Sequence, residues 1–266
     1  LPTETKDARA RWDVRIRRAQ ELVDHHSAIA NSLRLYHAAL QIQSDLAAGS
    51  ASVVDATVPL RQQIDLNAAV LAMPAILTAA DRGPDQLRFE AHKVRQGGED
   101  RWRQILRAVL LAEESVEVAA HDFLARACLQ PLAENLQLQL PKDPDCRKNS
   151  CPACGGLPQL AIVRPGIEGT SRSLLCSFCL CEWPFRQIVC PWCGEEEKEK
   201  LPHYRSEEWA YVHVEACDTC QHYFKVVDLS IEGAAVPLVD EAALAVLDVW
   251  ATGLGYTKIT RNMIGF

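Results

Sequence analysis

The chain has 266 residues, 48% of them hydrophobic, with 28 basic and 35 acidic side chains and a net charge of −7. That length can bury a real core and suffices for two domains. No apolar run reaches the roughly eighteen residues of a membrane span, and no charged-then-apolar leader stands at the start, although residue 1 is Leu and an upstream segment stays open.

The first 140 residues read as an all-α domain. Trp12, Ile16, Ala19 and Leu22 recur at helical spacing in a helix over 6–23. His25 and His26 follow near its end; neighbours on a helix point about 100° apart, so they read as a helix terminus rather than a metal pair. A second helix is expected over 28–48, with Ile29, Leu33, Tyr36, Leu40 and Ile42 as its stripe, closed by the Ala-Gly-Ser-Ala-Ser run at 48–52. Further helices are expected over 66–80, where Pro74 would kink or divide the helix, and over 85–94. Gly97-Gly98 separates the latter from a helix over 102–111. A longer run over 116–138 contains Pro131 and Cys128, the latter read as a small buried apolar residue. Helices of this kind hide their stripes against one another.

Residues 141–150 are polar and hold two prolines, marking a linker in which Cys146 stands unpaired as a non-ligand. Behind it come four Cys-x-x-Cys pairs: Cys151/Cys154, Cys176/Cys179, Cys190/Cys193 and Cys217/Cys220. Two cysteines three apart turn both sulfurs toward one ion, and two pairs complete a tetrahedral four-sulfur site for zinc or iron. With eight of eleven cysteines in such pairs, metal ligation in a reducing cytoplasm is the better reading than disulfides.

Each first knuckle is followed by glycine, Gly155 and Gly194. A left-handed backbone at Gly155 aims N–H groups at the sulfurs. Leu160–Val163 and Ser171–Leu175 read as a hairpin that brings the second knuckle beside the first. Glu182–Val189 offers a further strand, with Pro184 favouring a sheet edge. The plan then repeats: His203–Arg205 and Trp209–Val214 form a second hairpin, and Tyr223–Val227 closes it. The pairs are separated by 21 residues in the first unit and 23 in the second. Modules over 151–189 and 190–230 follow, with ligands in sequential order, Cys151, Cys154, Cys176 and Cys179 in one site and Cys190, Cys193, Cys217 and Cys220 in the other. A cross-brace that pairs the first knuckle with the third remains the rival. Cys181, two residues past Cys179, finds its site already full, and His203, His213 and His222 read as packed or rim residues. Between Cys146 and Ser230 nine Lys/Arg stand against eleven Asp/Glu, a net of −2, which lacks the basic footprint of a nucleic-acid-binding ribbon. The 231–266 tail contains one short helix over 241–252, capped by Asp240.

These residues carry a resemblance. Cys151-Pro-Ala-Cys-Gly155, Leu175-Cys-Ser-Phe-Cys179 with Trp183, Cys190-Pro-Trp-Cys193 and Cys217-Asp-Thr-Cys220 followed by Tyr223-Phe-Lys resemble the FdhE family of formate dehydrogenase accessory proteins. Ala125–Leu132, Gly255-Tyr256 and Asn262 extend the likeness; Cys181 departs from it. The resemblance implies an α+β, multidomain protein, with a helical N-terminal domain, two tandem rubredoxin-like or zinc-ribbon modules and a short C-terminal helix. It implies a cytoplasmic non-enzyme needed to form active respiratory formate dehydrogenase by binding the catalytic subunit. It suggests iron in the two four-cysteine sites, where the spacing allows zinc equally. Trp192 and Phe178 are candidate partner contacts, against packing over the sulfurs, and a homodimer stays open. The alternatives are a rubredoxin-like electron carrier and a zinc-ribbon nucleic-acid binder.

Overall fold

A computed structural model describes residues 2–26, 29–50, 53–111, 119–143, 146–167 and 169–264. Residue 28 of the expected second helix, residues 51–52 of the loop after it, 116–118 at the head of the expected long helix, 144–145 of the linker, residue 168 of the first hairpin turn and the last two residues lie outside that description. The chain divides into two compact units, Leu1–Leu140 and Pro141–Asn262, with Met263 and Ile264 grouped with the first.

The first unit is helical: α1 (Pro2–His25), α2 (Ala30–Gly49), α3 (Leu66–Ala80), α4 (Asp85–Gln96), α5 (Gly98–Leu110) and α6 (Ala119–Gln137). Asp65 caps α3 by accepting from the N–H groups of Asn67 and Ala68 at 2.9 and 3.3 Å. Pro74 and Pro131 sit inside α3 and α6, and both helices run through them undivided. α5 begins four residues before the expected Trp102, at Gly98, whose φ of +61° turns the corner out of α4. α6 is buried along most of its length and packs on α2, α3, α4 and α5. From it Glu134 accepts two hydrogen bonds from Arg15 of α1, at 2.6 and 2.9 Å. His25, the last residue of α1, bonds the carbonyl of Glu21 one turn back through Nδ1, a helix-end role.

The second unit is built on one sheet. Its strands are β1 (Pro158–Gly166), β2 (Gly169–Cys176), β3 (Glu182–Pro184), β4 (His203–Tyr204), β5 (Val212–Cys217), β6 (His222–Asp228) and β7 (Thr257–Lys258). The order is β3-β2-β1-β6-β5-β4, with β7 also on β6. Each cysteine module contributes three neighbouring strands, and the parallel pairing of β1 with β6 fuses the two sets. β6 is accordingly central and buried at almost every position. β3 lies at one edge, where the missing N–H of Pro184 costs no ladder bond. The strand expected to start at Trp209 begins only at Val212, because the residues before it form a turn closed by Val212 N–H to the Trp209 carbonyl.

Two short helices cover this sheet, α7 (Pro237–Ala243) and α8 (Ala245–Gly253), in place of the single helix over 241–252. α7 starts with Pro237 at its first position. Asp240 is therefore inside the helix, not before it; its Oδ2 reaches back to accept from Val236 N–H at 2.7 Å. The break falls at Leu244, with φ −98° and ψ 49°. Its cause lies beneath: the buried Lys225 ammonium of β6 takes the carbonyls of Glu241 and Leu244, groups that a continuous helix would have bonded internally.

Lys225 belongs to a buried charge quartet with Lys258 of β7, Glu241 of α7 and Asp248 of α8. Lys225 lies 3.0 Å from Glu241 and 2.7 Å from Asp248. Lys258 pairs with the same two carboxylates, at 2.9 Å from Asp248. Gln159 of β1 and Tyr223 of β6 add donors to Glu241 and Asp248 at 3.1 and 3.0 Å. Burial pushes the Glu241 carboxyl up, but Lys225 and Lys258 overcome it and hold the group at about 2. Burial pushes Lys225 down; it acts on Lys258 too, but there Glu241 and Asp248 win and hold the ammonium up. The quartet ties β1, β6, β7, α7 and α8 together, and removing one member strands the others in a dry site.

Glu241→Ala is expected to cost about 3–5 kcal/mol, read as a lower denaturant midpoint for the second unit. The pH dependence follows from the depressed carboxyl. Its stabilisation is complete above the ordinary value of 4.5 and is lost as pH falls toward about 2. In Glu241→Gln that part of the acid-induced loss between pH 4.5 and 2 disappears, which an acid titration followed by circular dichroism measures.

Candidate metal centres

The four knuckles share one backbone device. The residue directly after the second cysteine of each pair has positive φ: Gly155 at 71°, Leu180 at 57°, Gly194 at 80° and Gln221 at 57°. That left-handed step closes the turn. Gly155 N–H bonds the Cys151 carbonyl at 2.9 Å, Gly194 N–H that of Cys190 at 2.9 Å, and Gln221 N–H that of Cys217 at 2.8 Å. Directly after that step Gly156 N–H lies 3.4 Å from Cys154 Sγ, and inside the second knuckle Phe178 N–H lies 3.4 Å from Cys176 Sγ. Such donors stabilise thiolate charge. Glycine accepts this conformation freely, whereas Leu180 and Gln221 adopt it at a cost of roughly 1–2 kcal/mol each.

The sheet then sets knuckle beside knuckle, in sequential order. Cys151, Cys154, Cys176 and Cys179 form one group, and Cys190, Cys193, Cys217 and Cys220 the other; within each group the sulfurs lie within 4.8 Å of one another. The close separations are 3.5 Å for Cys151–Cys179 and 3.4 Å for Cys154–Cys176. In the second group Cys190–Cys220 and Cys193–Cys217 are both 3.7 Å apart. Four sulfurs about 2.3 Å from one ion stand about 3.8 Å apart at the corners of a tetrahedron. A disulfide would need about 2.05 Å, and none of the eleven cysteines forms one. Each quartet could therefore hold one metal ion, iron or zinc.

Sulfurs this close perturb one another. Cys154 is held far down by the sulfurs of Cys151, Cys176 and Cys179, and Cys179 is driven far up by Cys151, Cys154 and Cys176. In the second quartet burial pushes Cys190 up to about 11. Burial also acts on Cys193, but backbone donation from Glu195 and the neighbouring sulfurs hold it down. The two quartets differ in access. Cys193 is exposed and Cys220 half-buried, while the first quartet is covered except at Cys154.

Three cysteines lie outside the two quartets, and of these Cys181 still interacts with the Cys151 sulfur, which pulls its thiol down. Cys181 is buried beside the first quartet with its Sγ 3.9 Å from the Glu182 carbonyl; the left-handed turn at Leu180 removes the strand alternation that would have aligned it with Cys179. Cys146 and Cys128 are buried, and burial pushes the Cys128 thiol up. Of the two aromatics for which partner contact and packing were the alternatives, Phe178 is buried at 3% exposure and takes the packed one. Trp192 is 43% exposed and stacks on His222, centroid to centroid 4.3 Å.

One group escaped the sequence reading. His203, His213 and Glu215 also gather their ligand atoms within 4.8 Å. The signal was present in the alternation His213-Val-Glu215 on one strand, and the expected second hairpin already set His203 on the neighbouring strand; what spacing did not give was the register that pairs His203 with Glu215. Among the described residues no helix is long and apolar enough to cross a membrane.

Comparisons with known proteins bear on the same region. A family model described as FdhE, C-terminal domain, matches residues 188–264. Similar curated proteins named Protein FdhE homolog include one from Aquifex aeolicus, 36% identical over 121 residues, which are 45% of this chain and 42% of that protein. Another, from Pseudomonas putida, is 32% identical over 201 residues, 71% of this chain and 61% of that protein. The matches thus span about half the length of these curated relatives. The crystal structure of the FdhE protein from Pseudomonas aeruginosa is similar with a TM-score of 0.77 at 24% identity, covering 96% of both chains, a likeness of fold.

Gly194→Ala tests the knuckle. An added Cβ meets only Asn149 Nδ2 at 4.0 Å, so the cost is conformational. It is expected to be roughly 1–2 kcal/mol, a five- to thirtyfold easier loss of metal from the second quartet in a chelator competition, with the first quartet unchanged.

Proposed function

The chain belongs to the FdhE family, and from that premise we propose that it is an accessory protein for formate dehydrogenase. In this reading it works in the cytoplasm and binds the catalytic subunit of a respiratory formate dehydrogenase so that active enzyme forms. It does so without turning over a substrate of its own. The eight quartet cysteines are the ligands of two metal ions, which the resemblance suggests are iron. The observation that carries the reading is the pair of sulfur quartets on one continuous sheet. A site closed by four protein sulfurs keeps no coordination position for a substrate. Its ion instead holds the two knuckles of a module together, and the fused sheet presents both modules as one surface. Exposed Trp192, seated in a knuckle, is a contact such a surface offers a client.

One observation favours a second reading, electron exchange. Cys193 reaches solvent, so an iron ion in the second quartet would have a short path for an electron to leave or enter the protein.

Both readings are tested on the full chain purified without oxygen. Capture on immobilised formate dehydrogenase catalytic subunit is expected for the wild type. A several-fold weaker capture is expected for Trp192→Ala and for a Cys190→Ser, Cys193→Ser double variant. Failure of every form to bind contradicts the accessory reading. An absorption spectrum of the same sample separates the metal roles: a red, reversibly bleached protein supports electron exchange, and a colourless protein holding two zinc ions supports a structural role.

A further inference from the structure

Apart from the sulfurs, three side chains of β4 and β5 converge at the floor of a cleft. His203 and Glu215 are direct partners across the β4–β5 pairing, and His213, two residues before Glu215, projects from the same face. His203 Nδ1 lies 3.6 Å, and His213 Nε2 3.4 Å, from the same oxygen, Glu215 Oε1. Those distances are too long for good hydrogen bonds. They fit two ligands of one ion, since atoms each about 2.1 Å from a metal stand roughly 3.0–3.4 Å apart.

The surroundings prepare the carboxylate. Arg172 donates to Glu215 Oε2 at 2.7 Å, while its second approach, to Oε1, is stretched to 3.3 Å. The guanidinium thus fixes the carboxylate through one oxygen and leaves the other facing the imidazoles, the usual duty of a group that orients a metal ligand. Arg172 is itself held by the Gln187 carbonyl and lies over the Phe224 ring, 5.4 Å from its centroid. His213 is buried at 2% exposure, and its Nδ1 has no hydrogen-bond partner among the described residues, so no bond ties the ring to another task. Above the three ligands the cleft has a volume of about 470 Å³, walled by Thr170, Ile188, Lys198 and Arg205 among others.

We propose that His203, His213 and Glu215 form a third metal site, distinct from the two sulfur quartets. It would bind a single divalent transition-metal ion, zinc or iron(II), through two nitrogens and one oxygen. Two imidazoles and a carboxylate suit such ions and leave positions open, and the cleft supplies the space for further ligands. A closed four-sulfur site lacks that property, so this is the place on the second unit where an ion could meet an outside molecule.

The test is a calorimetric titration of zinc chloride alone into the full chain whose quartets have already been filled, with metal counted on the same sample. One further equivalent is expected to bind in the wild type. His203 is 43% exposed on a two-residue edge strand, so His203→Ala removes a ligand and leaves the core alone. It is expected to weaken the third equivalent at least tenfold, as is His203→Gln, while both keep two quartet ions. Cobalt substitution counts those two independently by their thiolate charge-transfer absorption, so loss of the third site is distinguishable from failure of the quartets. Absence of a third equivalent in the wild type overturns the proposal. So does a third equivalent of unchanged affinity in both variants.

Discussion

The second unit is arranged on one geometric pattern: its paired cysteines gather in two groups of four sulfurs, as a tetrahedral four-sulfur metal site roughly 3.8 Å on an edge would demand. No single stretch of backbone can meet it. A knuckle supplies two corners, and the other two must come from a second knuckle more than twenty residues away. The hairpin between them sets that distance, so strand length, register and the left-handed step after each pair all answer to the same requirement. The S–S separations of 3.4 to 3.7 Å show how near the protein alone comes to it. Thiols at that range strongly split one another's proton affinities, and a cation is the natural partner for the charge that results.

Two modules would ordinarily be two small, weakly cored domains. Here the parallel pairing of β1 with β6 joins them, and apolar residues from both modules share one core. Leu160 and Ile162 from the first pack with Val212 and Val227 from the second, and with Leu238 and Leu244 of the covering helices. The buried lysine–carboxylate quartet locks those helices and β7 onto the same sheet. The two modules are therefore parts of one folded unit and not two separate small domains.

Much of this was legible in the chain. The knuckles were visible because their chemistry forces a fixed spacing. The helical half was visible because its apolar residues keep the helical period, and Gly155 announced its left-handed turn by being glycine. Other features were hidden for physical reasons. Leu180 and Gln221 take the same turn without glycine's freedom. The β1–β6 pairing joins strands far apart in the chain, and nothing local encodes it. The break at Leu244 comes from a lysine on another strand that claims helix carbonyls, so the 241–252 periodicity gave no sign of it. Phe178 stood between contact and packing because its burial depends on how the folded unit packs. His203 and Glu215 became neighbours only once the register of the β4–β5 pairing was fixed.

The central claim is that eight cysteines, and no others, hold the metal that folds the sheet unit. Its most direct test is peptide-mapped alkylation of the native chain, without oxygen, before and after metal removal. The expected result is that Cys151, Cys154, Cys176, Cys179, Cys190, Cys193, Cys217 and Cys220 are protected at first, exposed Cys193 included, and become reactive as two ions leave. A native chain whose Cys193 and Cys220 react at once with no metal released, or whose eight thiols are already consumed as disulfides, would contradict it.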